Sequence, residues 1–286
     1  MDRLCISYGG SAVAVEYDGA RQARIVDFVY HYAPRGCEPP PHVIYRFLPT
    51  AEPQRLALHR NGVAFFESSS DAVLADVLMG DSCRNLVDRS LGGLMFHAAA
   101  LAWQGRTLIL PGTIGAGKST LTAWLISRGF QYLTDELVFV PCGSESMRVF
   151  TRPLNLKRPS RGPLRGHFDY PSAPAGGEND ALVWSTPFND LISPAMLGTP
   201  EASRADLPLH RILFARYSAD TPFEWRPLSK AQAGLMLMEC LVNARNLPGH
   251  GFAEVARLAR MVPACALRYS RFEQLETRIE DLMRSV

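Results

Sequence analysis

The side chains whose types and spacing could do chemistry lie between His97 and Lys157. Gly112-Thr113-Ile114-Gly115-Ala116-Gly117-Lys118-Ser119 fits G-x-x-x-x-G-K-[ST] in full. Glycines at 112, 115 and 117 let the backbone curl so that successive N–H groups face phosphate oxygens. A helix opening near Lys118 adds its positive end. Lys118 offers a mobile cation to the β- and γ-phosphates, and Ser119 offers a hydroxyl to Mg²⁺, which takes hard oxygen ligands. The expected binding set runs from Gly112 through Thr113, Ile114, Gly115, Ala116, Gly117, Lys118 and Ser119 to Thr120, with ATP and Mg²⁺ as ligands.

Asp135 and Glu136 follow Ser119 by sixteen and seventeen residues, one helix and a turn later. In many hydrolysing P-loop ATPases the acidic residue comes later, after four apolar residues. Phe130-Gln131-Tyr132-Leu133-Thr134 matches that pattern poorly. An early acidic pair suits transfer to a hydroxyl, one carboxylate acting on the acceptor while the other holds the metal. The plainer alternative is a solvated pair at a strand end. His97 precedes the loop; a lone histidine is more often structural than catalytic. Arg152 and Lys157, in TRPLNLKRPS, are cations that could spread charge on a transferring phosphoryl group, or simply face water.

Two apolar runs around Trp103-Gln104-Gly105-Arg106 predict a β-hairpin whose second strand, TLIL, enters the glycine loop. STLTAWLISR predicts a helix closed by Gly129, and QYLTDELVFV a single strand. Strand, loop, helix, strand is a βαβ unit, so the expected fold is α/β, a mixed sheet flanked by helices. Upstream, SAVAVEY, ARIVDFVYHY, HVIYRFL and VAFFESS have strand-like content, and RGCEPPPH reads as a loop. Residues 71–91 read as a helix capped by Ser70 or Asp71 and broken at Gly80. The expected division is a small β-rich module, 1–85, followed by a catalytic domain, 86–286. Residues 159–208 are rich in Pro, Gly and Ser with little periodicity. Beyond them, PLHRILFARYS, EWRPLS and ACALRYS read as strands. SKAQAGLMLMECLVNARN (capped by Ser229), FAEVARLARM and RFEQLETRIEDLMRS read as helices.

The 286 residues are 47% hydrophobic and 20% charged, an ordinary globular composition. Thirty basic and 28 acidic residues leave a net charge of +2, which argues against nucleic acid or an anionic membrane as main partner. None of the six cysteines lies within four residues of another, and reduced, mostly buried thiols are expected. The N-terminus lacks a signal peptide's basic region and apolar core, and LMLMECLV is too short to cross a bilayer. A soluble cytoplasmic protein is the expectation.

FHAAALAWQGRTLILPGTIGAGKSTLTAWLISRGFQYLTDELVFV resembles the catalytic core of HPr kinase/phosphorylase and its relatives. That family has the order histidine, hairpin, GxxxxGKS, helix, Arg-Gly, strand, acidic pair. TRPLNLK and HGFAEVARLARMVPACALRYS look like its HPr-kinase-related subgroup. The resemblance covers residues 90–160 well and 210–280 loosely. It implies a P-loop kinase core of the HPr kinase type behind a variable N-terminal module. It further implies that Asp135 is the general base for an acceptor serine and that His97 lies near the reacting phosphate. Glu136 stands where the family has a second Asp, helping Ser119 with the metal. Arg152 and Lys157 match the subgroup's R-P-x-x-L-K pattern, implying phosphate or substrate contact.

Two departures matter. Glu136 is one methylene longer than the usual Asp, and ARNLPG at 244–249 is only an echo of the signature for the reverse, phosphorolytic reaction. The expected activity is therefore ATP-dependent phosphorylation of a serine hydroxyl on a small protein or peptide other than HPr. A modified-peptide precursor such as a lasso peptide is one such acceptor. The resemblance also implies a homo-oligomer assembled through the catalytic domains. The alternatives are a small-molecule kinase on the same fold and a nucleotide-binding module that transfers nothing.

Overall fold

The computed structural model describes residues 1–113, 115–168, 182–199, 206–219 and 221–279. Ile114, much of 159–208 and the end of the predicted C-terminal helix lie outside them. The chain is a mixed α/β protein, and among the described residues its strands form three sheets.

The first sheet is N-terminal. β1 (Asp2–Tyr8), β2 (Ser11–Tyr17), β3 (Val43–Pro49), β4 (Leu56–Arg60) and β5 (Val63–Ser68) lie side by side in that order. Two helices accompany it, α1 (Ala20–Tyr30) and α2 (Asp71–Asp88). α1 corrects the strand expected of ARIVDFVYHY. Its buried residues Gln22, Ile25, Val26, Val29 and Tyr30 recur at helical spacing, and the apolar ones share a core with Leu74 and Leu78 of α2. α2 corrects the break expected at Gly80. Leu74, Leu78, Met79, Cys83 and Leu86 are all buried, and their packing outweighs the ~1 kcal/mol that a mid-helix glycine costs. The Ser70 hydroxyl caps it by accepting from the Val73 N–H.

The expectation of reduced, mostly buried thiols also needs correction. Cys5 and Cys37 form a disulfide, although 32 positions separate them. The bridge Ile6–Arg35 and the Gly36 N–H donated to the Cys5 carbonyl (3.1 Å) bring the proline-rich loop beside β1. Cys142 is exposed, and Cys83, Cys240 and Cys265 are buried free thiols.

The rest of the chain builds on β6 (Gly93–Trp103), β7 (Arg106–Pro111), α3 (Lys118–Ser127), β8 (Gln131–Thr134), β9 (Leu137–Pro141) and β10 (Ser146–Val149). β11 (Leu154–Lys157), α4 (Arg161–Leu164), β12 (Val183–Ser185), β13 (Asn189–Ile192) and β14 (Leu207–Pro208) follow. β15 (Arg211–Tyr217), β16 (Glu224–Pro227), α5 (Lys230–Cys240), α6 (Phe252–Met261) and β17 (Ala264–Tyr269) complete it. The large sheet runs β14-β10-β9-β6-β7-β15-β17-β16, with β8 also paired to β6. β7, β15 and β17 are mutually parallel, so their carboxyl ends share one edge. β6 is buried on both faces. Ala99 and Leu101 join the core under α3, while Ala98, Ala100 and Ala102 join the core under α5 and α6.

The single strand predicted for QYLTDELVFV is two, β8 and β9, parted at Asp135-Glu136. β12 and β13, within the 159–208 stretch of little periodicity, join β11 just before it to form the third sheet. The N-terminal sheet does not stand apart from this framework. Met95, Leu137, Phe139 and Phe150 belong to its core, and the Tyr8 hydroxyl reaches the carbonyls of Leu137 (3.1 Å) and Arg148 (2.8 Å).

Candidate functional site

The glycine run leaves the carboxyl end of β7 and turns back into α3. Gly115 (φ 87°) and Gly117 (φ 88°) hold left-handed conformations, and a Cβ on Gly117 would also press on Tyr217 at 3.2 Å. Gly117 caps α3 without a side chain, so the first N–H groups of the helix are left to whatever enters the cavity. At its other end α3 closes as predicted on Gly129 (φ 89°). The Phe130 N–H bonds the Leu125 carbonyl (3.2 Å) and the Gly129 N–H the Ile126 carbonyl (3.0 Å).

Lys118 is buried. Its Nζ donates to the carbonyls of Gly112 (2.7 Å) and Thr113 (3.0 Å) and lies 3.0 Å from His97 Nε2. An ammonium only donates, so Nε2 accepts and the ring proton sits on Nδ1, facing Glu136 Oε1 at 3.3 Å. Burial lowers the Lys118 pKa from its ordinary value, against the pull of Glu136 and Asp135.

Adjacent residues of an unbroken strand face opposite sides of a sheet. The break between β8 and β9, where the Glu136 carbonyl accepts from the Ala98 N–H (3.0 Å), lets both carboxylates meet one cation. Arg152 Nε lies 3.0 Å from Asp135 Oδ1, and its Nη2 lies 2.8 Å from Glu136 Oε2. Burial opposes the Arg152 charge, but Asp135 and Glu136 together hold its pKa above the ordinary value. Asp135 is 2% exposed and accepts three more bonds, from Ser119 Oγ (3.3 Å), the Tyr132 hydroxyl (3.2 Å) and the Asn155 N–H (3.1 Å). The Glu136 side chain keeps 29% of its surface exposed. Burial would raise its pKa, but Arg152, then His97 and Lys118, outweigh that and hold it down to about 2.

These groups open into a cavity of about 790 Å³. Of the predicted set, His97, Lys118, Ser119, Asp135, Glu136 and Arg152 meet there, with Gly115, Gly117, Thr120 and Lys157 in the walls. Gly112, Thr113 and Ala116 act from behind. The first two hold Lys118, and the Ala116 carbonyl accepts from the Tyr217 N–H (3.3 Å). Thr120 Oγ1 pairs with Ser160 Oγ at 2.8 Å. Ile114 lies outside the described residues.

Sequence reasoning misses Tyr132, Asn155, Asp76 and Asn189. Asn155 reaches Asp135 through its backbone, which carries no residue signature. Its side chain donates to Asp76 Oδ1 (2.8 Å), and Asn189 donates to Asp76 Oδ2 (3.0 Å). Asp76 lies on α2, far back in sequence.

The Ser119 hydroxyl and the nearby Asp135 carboxylate are hard oxygen donors. Among the described residues no group of three or more His, Cys, Asp or Glu side chains forms a metal cage. One carboxylate and one hydroxyl suit Mg²⁺, which keeps waters and substrate phosphates as its remaining ligands.

No family model matches the chain, and no curated protein matches it. Solved structures do. One is the Hpr(Ser) kinase/phosphatase from Coxiella burnetii, at 14% identity and a TM-score of 0.31, with 67% of this chain and 94% of that one covered. The likeness is distant. Among the described residues no helix is long and apolar enough to cross a membrane.

Proposed function

We propose that the chain is an ATP-dependent phosphotransferase whose acceptor is a hydroxyl, specifically a serine of a small protein or peptide. One observation carries this reading. The phosphate socket and the acidic pair share a single cavity, with Lys118, His97 and Arg152 beside them. Ser119, oriented by Asp135, would hold Mg²⁺, and ATP would supply the phosphoryl group.

The sequence reading gives Asp135 the part of base and Glu136 the part of metal ligand. The distances favour the converse. Both Asp135 oxygens already accept two bonds each, which leaves no site for an acceptor hydroxyl. One of those donors is Ser119, whose own lone pairs stay free for Mg²⁺, so Asp135 would serve the metal by orienting that hydroxyl. Glu136 is the more exposed carboxylate and is paired with His97. Ionised at any working pH, it orients the acceptor hydroxyl by accepting its hydrogen bond. As the acceptor oxygen bonds to phosphorus and the bridging β–γ bond breaks, the hydroxyl proton passes to the Glu136–His97 pair. Lys118, released from His97 and the loop carbonyls, meets the phosphate oxygens, where charge develops.

Transfer of ³²P from ATP to a panel of serine-containing peptides and small proteins, with Mg²⁺, tests the reading. Wild-type protein labels an acceptor. Glu136→Gln loses about a hundredfold or more in rate with nucleotide affinity retained, whereas Asp135→Asn chiefly raises the Mg²⁺ requirement. The reverse pattern restores the first assignment of roles. Tight Mg²⁺-ATP binding with no transfer to any hydroxyl would sink the phosphotransferase reading in favour of a binding module.

A further inference from the structure

We infer that the N-terminal module completes this site, and that Asp76 of α2 is a positioning residue for Asp135. The inference rests on the nucleotide-site reading above. Asp135 Oδ2 accepts from the Asn155 N–H, so β11 helps to place the carboxylate. β11 is a four-residue strand at the edge of a three-stranded sheet; Leu154 and Leu156 anchor it in the core under α3, but Asn155 between them is not part of that core.

The N-terminal helices add two further points of attachment. At the cavity, the two oxygens of Asp76 take the side-chain N–H groups of Asn155 on β11 and Asn189 on β13. Asn189 stands opposite Lys157 in the β11–β13 register, so one carboxylate clamps both strands where they border the site. Farther along the sheet, Phe28 of α1 stacks on Trp184 of β12, centroids 4.0 Å apart and rings 1° from parallel. Arg24 of the same helix lies over that indole at 5.7 Å. Asp76 and Gly80 also line the cavity themselves, so α2 forms part of its wall. Asp76 holds its partners through neutral amide donors, a geometry that places strands without consuming the cations the phosphates need.

The test uses the full chain, a fluorescent ATP analogue and a Mg²⁺ titration. Asp76→Ala raises the Mg²⁺ concentration for half-maximal binding about tenfold, the effect of losing a hydrogen bond to a charged group. Binding of the analogue without metal stays within about twofold, because the loop and Lys118 are untouched. Asn155→Ala acts likewise, and the double variant is no worse than the weaker single one, since both cut the same chain of contacts. Asp76→Asn, which keeps the shape and one acceptor oxygen, falls between. Wild-type Mg²⁺ dependence in Asp76→Ala, or additive losses in the double variant, overturns the inference alone. A wild-type protein that binds no analogue overturns the nucleotide-site reading, and this one with it.

Discussion

Removing Arg152 should make the stability of the protein depend on pH in a direction opposite to the usual acid sensitivity. Arg152→Met keeps most of the side chain's volume but deletes the cation shared by Asp135 and Glu136. Two charge-assisted bonds are lost, at 3.0 and 2.8 Å, from a side chain only 6% exposed. At roughly 1.5–3 kcal/mol each they sum to about 3–6 kcal/mol, in line with the ~3–5 kcal/mol for breaking one half of a buried ion pair.

The sign follows from what remains. In the wild type, Arg152 opposes the effect of burial on Glu136 and holds its pKa near 2. Deleting Arg152 removes the largest charge that opposes burial, and burial, the strongest single influence on Glu136, is expected to lift its folded-state pKa above the unfolded value against His97 and Lys118. The variant then gains protons on folding, so its stability falls as pH rises through the carboxylate range and beyond. Urea unfolding followed by tryptophan fluorescence at pH 8 and pH 5 reads this directly. The deficit of Arg152→Met should be largest at pH 8 and shrink toward pH 5. Arg152→Lys, a point charge without the planar fork, should recover part of it. A deficit below about 1 kcal/mol, or one equal at both pH values, would refute the reasoning that these carboxylates are buried on a single cation.

Three further outcomes are expected. Glu136, with its folded pKa depressed to about 2, contributes stability that is present above its unfolded value and lost as pH falls from about 4.5 toward 2. Full burial would make this ~3 kcal/mol, and its 29% exposure brings it to about 1–2 kcal/mol. The stability difference between wild type and Glu136→Gln should therefore be clear at pH 7 and mostly gone near pH 2.5. The Cys5–Cys37 bridge leaves four thiols of six to react in denaturant without reductant, and a count of six would disprove it. Replacing both cysteines by serine should lower stability by about 3–4 kcal/mol, the loop-closure value for a separation of this size.

The parts of the fold most legible in the sequence are those whose signals are local. The hairpin of β6 and β7, the Gly129 terminus of α3 and the Ser229 cap of α5 each need only a few neighbouring residues. α5 carries a full capping box, with Gln232 reaching back to the Ser229 N–H. α1 is misread because its isoleucine, valines, phenylalanine and tyrosine have strand propensity, while its helical state is set by a face that packs on α2 and the sheet. The disulfide is hidden because nothing in the spacing of Cys5 and Cys37 shows that the proline-rich loop returns to β1. β11, β13 and β12 are too short for alternation to rise above a Pro- and Gly-rich background.

The site follows the same division. Lys118 and Ser119 are legible because G-x-x-x-x-G-K-[ST] is a pattern of residue types at fixed spacing. Asp135 and Glu136 are legible as a pair, but their different surroundings are not, because adjacency says only that they are neighbours. The strand break sets them apart. With the chain kinked between β8 and β9, Asp135 turns inward to Ser119, Tyr132 and the Asn155 backbone, while Glu136 turns toward His97 and the open cavity. An unbroken strand would send the two carboxylates to opposite faces, and a single arginine could not serve both. The kink, Arg152 and the amide that Asp76 steadies are thus parts of one solution to placing two like charges side by side. Of these, only the arginine has a residue type that a reader of the sequence could have singled out.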